Sequence, residues 1–172
     1  MTTVAQQQSI PADIRALDTL PCDYVDLFVG TTTMARAASP EQWARATIEG
    51  APAAGRFMAW RAILALRLEP QPWVPPKAAR GAPDYVGGWK IVERDDDWIK
   101  VEASSRSMTA NMIFKVDDSR VSFATLIRYD RPVGRLVWTP VSAIHRFAAP
   151  GFLRGGMLRV ARTLEASALP NG

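Results

Sequence analysis

The sequence predicts an α+β fold in which a curved antiparallel sheet wraps around a long, kinked C-terminal helix. Three observations predict it. Four runs of period-two hydrophobicity follow one another between Trp89 and Asp130, short connections rich in turn formers separate them, and a run of helical periodicity comes directly after.

The four runs read WKIVERD, WIKVEASS, MTANMIFKVD and RVSFATLIRYD. In the third, Met108, Ala110, Met112, Phe114 and Val116 alternate with Thr109, Asn111, Ile113, Lys115 and Asp117, so one face is expected to be buried and the other wet. In the fourth, Val121, Phe123, Thr125, Ile127 and Tyr129 share one face and Ser122, Ala124, Leu126, Arg128 and Asp130 the other. In the second, Ile99, Val101 and Ala103 alternate with Lys100 and Glu102. Asp95, Asp96 and Asp97, then residues 104–107, then Asp117-Asp118-Ser119-Arg120 mark the bends. Four consecutive antiparallel strands with one apolar face form a meander, and that face must be covered.

Residues 133–148 supply the cover. Val133, Leu136, Val137, Val141, Ile144 and Ala148 recur at three- and four-residue intervals, which predicts a helix with these side chains inward. Pro132 suits a first turn, whereas Pro140 inside the run removes a backbone donor and is expected to kink or split the helix. Gly155-Gly156 is expected to mark a helix break.

Upstream, residues 1–20 read as a flexible N-terminal arm with a short amphipathic piece at 12–20, and residues 21–172 as a single domain. Residues 24–29 predict a first strand, continued in one reading through 31–36. Two short helices follow it. The first opens at Ser39-Pro40-Glu41-Gln42, with Ser39 as N-cap, Pro40 in the first position and Gln42 three residues on. Trp43, Ala46 and Thr47 face inward in this reading, and Gly50 ends the helix. The second spans residues 52–68 with Phe57, Trp60, Leu64 and Leu68 on one stripe. The five prolines at 70, 72, 75, 76 and 83 make residues 70–83 a stiff connector.

Composition narrows the function classes. At 172 residues the chain suffices for one domain with a sizeable core. The lone Cys22 excludes an intramolecular disulfide framework and a cysteine-rich metal site, and a free thiol fits a reducing cytoplasm. The first fifteen residues lack a basic region followed by an apolar core, so they do not read as a secretory signal. The apolar stretch FMAWRAILALRL is interrupted by Arg61 and Arg67 and is too short to span a bilayer. The net charge of +4 is unevenly placed. After Asp130 come Arg131, Arg135, Arg146, Arg154, Arg159 and Arg162 against Glu165 alone. The simpler reading is a solvated helix surface with arginine stems over apolar area. The sharper one is attraction to phosphates or anionic lipid, with peripheral membrane contact by this tail and residues 56–68. No nucleic-acid motif accompanies the charge.

The segments SPEQWARATIEGAP, GGWKIVERDDDWIKVEASS and GRLVWTPVSAIHRFAAPGFLR, in this order, resemble the START-related, Bet v 1-like (SRPBCC) superfamily, the polyketide cyclase/dehydrase and lipid-transport group, and its small bacterial members in particular. The resemblance covers about Asp23 to Arg162. It implies a helix-grip fold with a cavity between sheet and C-terminal helix, where many members bind an apolar small molecule. The chain departs from the larger members at residues 70–83, where extra strands are expected, and this bears on the size of the cavity.

Little chemistry stands out. His145, the only histidine, is the candidate for acid–base work, and on a helix it shares a face with Trp138 and Val141. The bland alternative is a histidine bonded at the helix–sheet seam, and Glu93, Arg128 and Tyr129 are the polar groups that could accompany it. Asp95, Asp96 and Asp97 read as a solvated hairpin tip rather than a metal loop. Gly87-Gly88 opens no helix and is not a dinucleotide fingerprint. No cofactor is implied. The preferred function is binding of an apolar or aromatic small molecule or lipid, without catalysis. The lining is expected from Trp89, Ile91, Val101, Met112, Phe114, Phe123, Ile127, Trp138 and Val141, with His145 as the polar fixing group. The alternative is a cyclase- or dehydratase-like enzyme in which His145 moves a proton.

Overall fold

A computed structural model describes residues 3–18, 21–51 and 81–168. The expected helix at 52–68 and most of the proline-rich connector lie outside the described residues. In chain order the elements are β1 (Thr3–Gln6), α1 (Ala12–Ala16), β2 (Tyr24–Thr31), a 3-10 turn (Ala35–Ala37), α2 (Pro40–Ile48), β3 (Tyr85–Val86), β4 (Trp89–Arg94), β5 (Trp98–Ser104), β6 (Met108–Val116), β7 (Arg120–Tyr129) and α3 (Pro132–Ala168). The strands form one antiparallel sheet in the order β1-β2-β7-β6-β5-β4-β3. The α+β class, the long C-terminal helix and the four-strand meander β4–β7 agree with the sequence reading.

The meander forms because alternation and turns agree. Asp117 accepts at Oδ1 from the backbone N–H groups of Ser119 and Arg120, at 3.1 and 2.8 Å, which closes the β6–β7 bend. Gly87 and Gly88 both take positive φ, 58° and 95°, as a two-residue hairpin between β3 and β4 requires. The register of β6 on β7 pairs Phe114 with Phe123 and Ala110 with Ile127, putting the expected apolar positions on one face.

The other face is not wet. Ile113, Ala124, Leu126 and Leu27 form a second buried layer under Ile14 of α1, with Ile10, Leu17 and Cys22 around it. Lys100 is also buried there; its Nζ donates to the Leu17 carbonyl at 3.0 Å and pairs with Glu93 at 2.6 Å. Asn111 donates to Asp18 at 3.1 Å. The expectation of one solvated face is thus corrected. The segment read as a flexible arm supplies the edge strand β1, paired on β2, and the helix that covers this face. Lys115 reaches Asp13 at 3.2 Å, and this hydrogen bond holds the Asp13 carboxyl below its usual range.

Helix α2 has the predicted capping box: Ser39 Oγ accepts from Gln42 N, and Gln42 Oε1 from Ser39 N. Its inner face is Trp43, Ala44 and Thr47, with Pro40. Trp43 donates its indole N–H to the Ala35 carbonyl at 2.9 Å, tying the helix to the 3-10 turn where the longer reading of the first strand had placed extended chain.

Helix α3 departs from expectation in three ways. Of the two outcomes expected at Pro140, a kink or a split, the split is absent, and the helix continues through Pro150 and Gly155-Gly156 to Ala168. It is also rotated, because Val133, Leu136 and Ile144 are exposed and the inward face is Gly134, Trp138, Ser142, Ala149, Leu153, Gly156, Met157 and Val160. Finally, Gly156 marks a close approach and not a break. A Cβ there would meet Thr47 Oγ1 at 2.4 Å and its backbone at 2.9 and 3.0 Å, so only glycine lets α3 lie this near α2.

Two glycine substitutions test this packing. Gly156→Ala is expected to destabilise the fold by roughly 1–3 kcal/mol, since backbone must move. Gly151→Ala, where an added Cβ meets nothing within 4 Å, is expected to stabilise it by about 0.5–1 kcal/mol through helix propensity. Denaturant titrations of the two variants should move in opposite directions.

Candidate functional site

The site lies on the face of the sheet that α3 covers. Strands β2 and β7 pair Tyr24 with Ile127, Asp26 with Thr125 and Phe28 with Phe123, so these side chains line up as three rungs under the helix. His145 comes down onto the middle rung. Its Nε2 is 3.0 Å from Thr125 Oγ1 and 3.3 Å from Asp26 Oδ2, and its side chain is one-fifth exposed. Asp26, a carboxylate of the interior strand β2, is 4% exposed. Tyr24 donates its hydroxyl to Asp26 Oδ2 at 2.6 Å, and Arg146 in turn donates to Tyr24 Oη at 3.3 Å. The Arg146 guanidinium carbon also stands 5.9 Å from the Tyr24 ring centre.

Apolar rings enclose this polar chain. Phe28, Phe123 and Trp138 have ring centres 6.1, 6.3 and 5.7 Å from that of His145. Trp138 meets Tyr24 edge-on at 5.3 Å. Two buried polar atoms in the cluster have no hydrogen-bond partner among the described residues: Asp26 Oδ1, an acceptor, and Trp138 Nε1, a donor. Burial, and then the hydrogen bond to Asp26, push the Tyr24 hydroxyl well above the usual tyrosine range, so it stays a neutral donor.

The arrangement constrains the imidazole. A hydrogen on Nε2 can be donated to Asp26 or Thr125, while Nδ1 has no hydrogen-bond partner among the described residues. The carboxylate therefore favours the Nε2–H tautomer and leaves the Nδ1 lone pair free to accept a proton or a ligand donor.

All ten sequence-derived candidates lie on this covered face or over it. Val101, Met112, Phe114 and Phe123 belong to one buried cluster with Trp89 and Ile91 at its margin. Ile127 and Trp138 belong to an adjoining one, with Trp89 and Val141 beside them. His145 stands next to the residues of both clusters, 5.7 Å from Trp138 and 6.3 Å from Phe123 by ring centre. None of the polar companions expected from sequence is an ion-pair or hydrogen-bond partner of His145. Glu93 pairs with Lys100, Arg128 with Asp130, and the Tyr129 backbone N–H donates to Asp23. Asp26, Tyr24 and Thr125 were missed as partners. One signal pointed to Asp26, an acid in the middle of the apolar strand YVDLFV and on the same alternating face as Tyr24 and Phe28.

Beside this cluster, where β1 stops at Gln6 and leaves the edge of β2 open, lies a cleft of about 720 Å³. Gln7, Gln8, Ser9, Arg15, Val25 and Asp26 are among its lining residues. Asp95, Asp96 and Asp97 sit at the β4–β5 hairpin tip, where Asp97 lies 3.5 Å from Lys115. Among the described residues no helix is long and apolar enough to cross a membrane. No family model, curated protein or solved structure matches the chain.

The raised Tyr24 hydroxyl makes a pH prediction. A group whose pKa is higher in the folded state stabilises the fold below its unfolded value, about 10 for tyrosine. That contribution is lost as pH rises towards the folded value. Stability should therefore decline above roughly pH 10, and Tyr24→Phe should flatten the decline while lowering stability at neutral pH. Urea midpoints measured across this range for both proteins check it.

Proposed function

We propose that this chain is a helix-grip protein of the START-related, Bet v 1-like kind that binds an apolar or aromatic small molecule or lipid between the sheet and α3. The Asp26–His145 pair fixes the polar end of the ligand. One observation carries the reading: beside His145, a buried carboxylate oxygen and a buried indole N–H lack partners among the described residues. Leaving such groups unpaired costs about 1–3 kcal/mol each. A ligand end that donates to Asp26 Oδ1 and accepts from Trp138 Nε1 removes both penalties, and the surrounding rings suit an apolar body. The element order and the sheet covered by a long C-terminal helix support the helix-grip assignment. Action in the cytoplasm belongs to this reading, which the free Cys22 thiol supports.

The same pair favours a second reading, a cyclase- or dehydratase-like enzyme. A carboxylate 3.3 Å from Nε2 orients the ring, so Nδ1 could take a proton from an enclosed substrate.

Native and denaturing mass spectra of freshly purified protein test the binding reading. A retained mass released on denaturation is expected, and His145→Ala should weaken rebinding of the released compound by about tenfold, the loss of one polar contact. A protein that carries and rebinds nothing overturns the reading. If the released compound is converted with a pH-dependent rate that His145→Gln abolishes while the fold persists, the enzyme reading replaces it.

A further inference from the structure

The side of α3 turned away from the sheet is apolar where a solvated helix would be charged. Val133, Leu136, Ile144 and Phe147 are 49%, 75%, 55% and 89% exposed. With Pro140 between them, their three- and four-residue spacing places them on one stripe along the first four turns of the helix. Exposed large apolar groups in a row, not scattered singly, mark a contact surface. Arg154 and Arg162, five full turns beyond Leu136 and Ile144, continue the same side of the helix and are exposed, and the helix's only acid is Glu165.

We propose that this stripe docks α3 flat on a bilayer surface containing anionic lipid. The apolar side chains enter the boundary between headgroups and acyl chains, and the arginines stay at the phosphates with their stems along the apolar surface. Charge selects this occupant. A second copy of the helix would bring the same arginines face to face, with one carboxylate per helix to offset them. Nucleic acid would satisfy the arginines but leave Leu136 and Phe147 in water. A lipid surface offers phosphate and an apolar layer side by side. The stripe lies on the opposite side of the helix from His145, so this proposal and the binding site succeed or fail separately.

Flotation with vesicles decides it. The probes are phosphatidylcholine alone and phosphatidylcholine mixed with phosphatidylglycerol, each at low and high salt. The wild-type chain is expected to float with the anionic vesicles only, and to be released by high salt. The exposed pair Leu136→Ser/Phe147→Ser should lose more than about tenfold in binding, and Arg154→Gln/Arg162→Gln should lose the preference for anionic lipid. Unchanged thermal melts of these variants keep the comparison free of misfolding. Absence of flotation with anionic vesicles overturns the proposal, as does equal flotation of Leu136→Ser/Phe147→Ser. A dimer in sedimentation velocity that the same pair abolishes also overturns it, in favour of a second copy.

Discussion

A sheet of seven strands whose central members are apolar on both faces cannot leave either face to water. That constraint organises the molecule. Strand β6 is buried almost along its whole length, so α2 and α3 together must cover one side and the N-terminal segment the other. Burying a large apolar side chain contributes about 1.5–3 kcal/mol, and both layers are built from many of them. The polar groups on the second face, Lys100 and Asn111, are accommodated because the covering segment offers the Leu17 carbonyl and the Asp18 carboxylate as partners.

The orientation of α3 follows from how near it must come to its neighbours. Large apolar residues occur all around this helix, so hydrophobicity alone does not choose a face. Steric reach does. Small residues where the helix meets other elements, Gly134 over Ser107, Ala149 and Gly156 over Thr47, let the backbone approach, and Trp138, Leu153 and Met157 fill the spaces between. Once that side is inward, Leu136 and Phe147 must point out. The inward rotation also brings His145 onto Thr125 and Asp26.

A carboxylate placed this deep is expensive unless its hydrogen-bonding capacity is met. Tyr24 and His145 meet one oxygen of Asp26, and the chain Arg146–Tyr24–Asp26 brings a positive charge within two hydrogen bonds of it. The second oxygen, with no hydrogen-bond partner among the described residues, is one of several departures from a fully compensated core, and it lies among rings beside the imidazole.

How much was legible from the chain depends on whether the information is local. The four meander strands were legible nearly to the residue, because period-two alternation and the aspartate- and glycine-rich bends are properties of neighbouring residues. So was the capping box at Ser39 and Gln42, which closes within one turn of helix. His145 was legible as a candidate because no other histidine competes with it. The rest is non-local. Lys100 and Asn111 looked solvated until α1 was laid over them from more than eighty residues away. Gly156 looked like a break because its reason, the backbone of Thr47, belongs to another helix. The choice between two apolar stripes on α3, and with it the meeting of His145 and Asp26, was made only by packing in three dimensions. Periodicity reveals that a helix has apolar faces; close approach decides which one is buried.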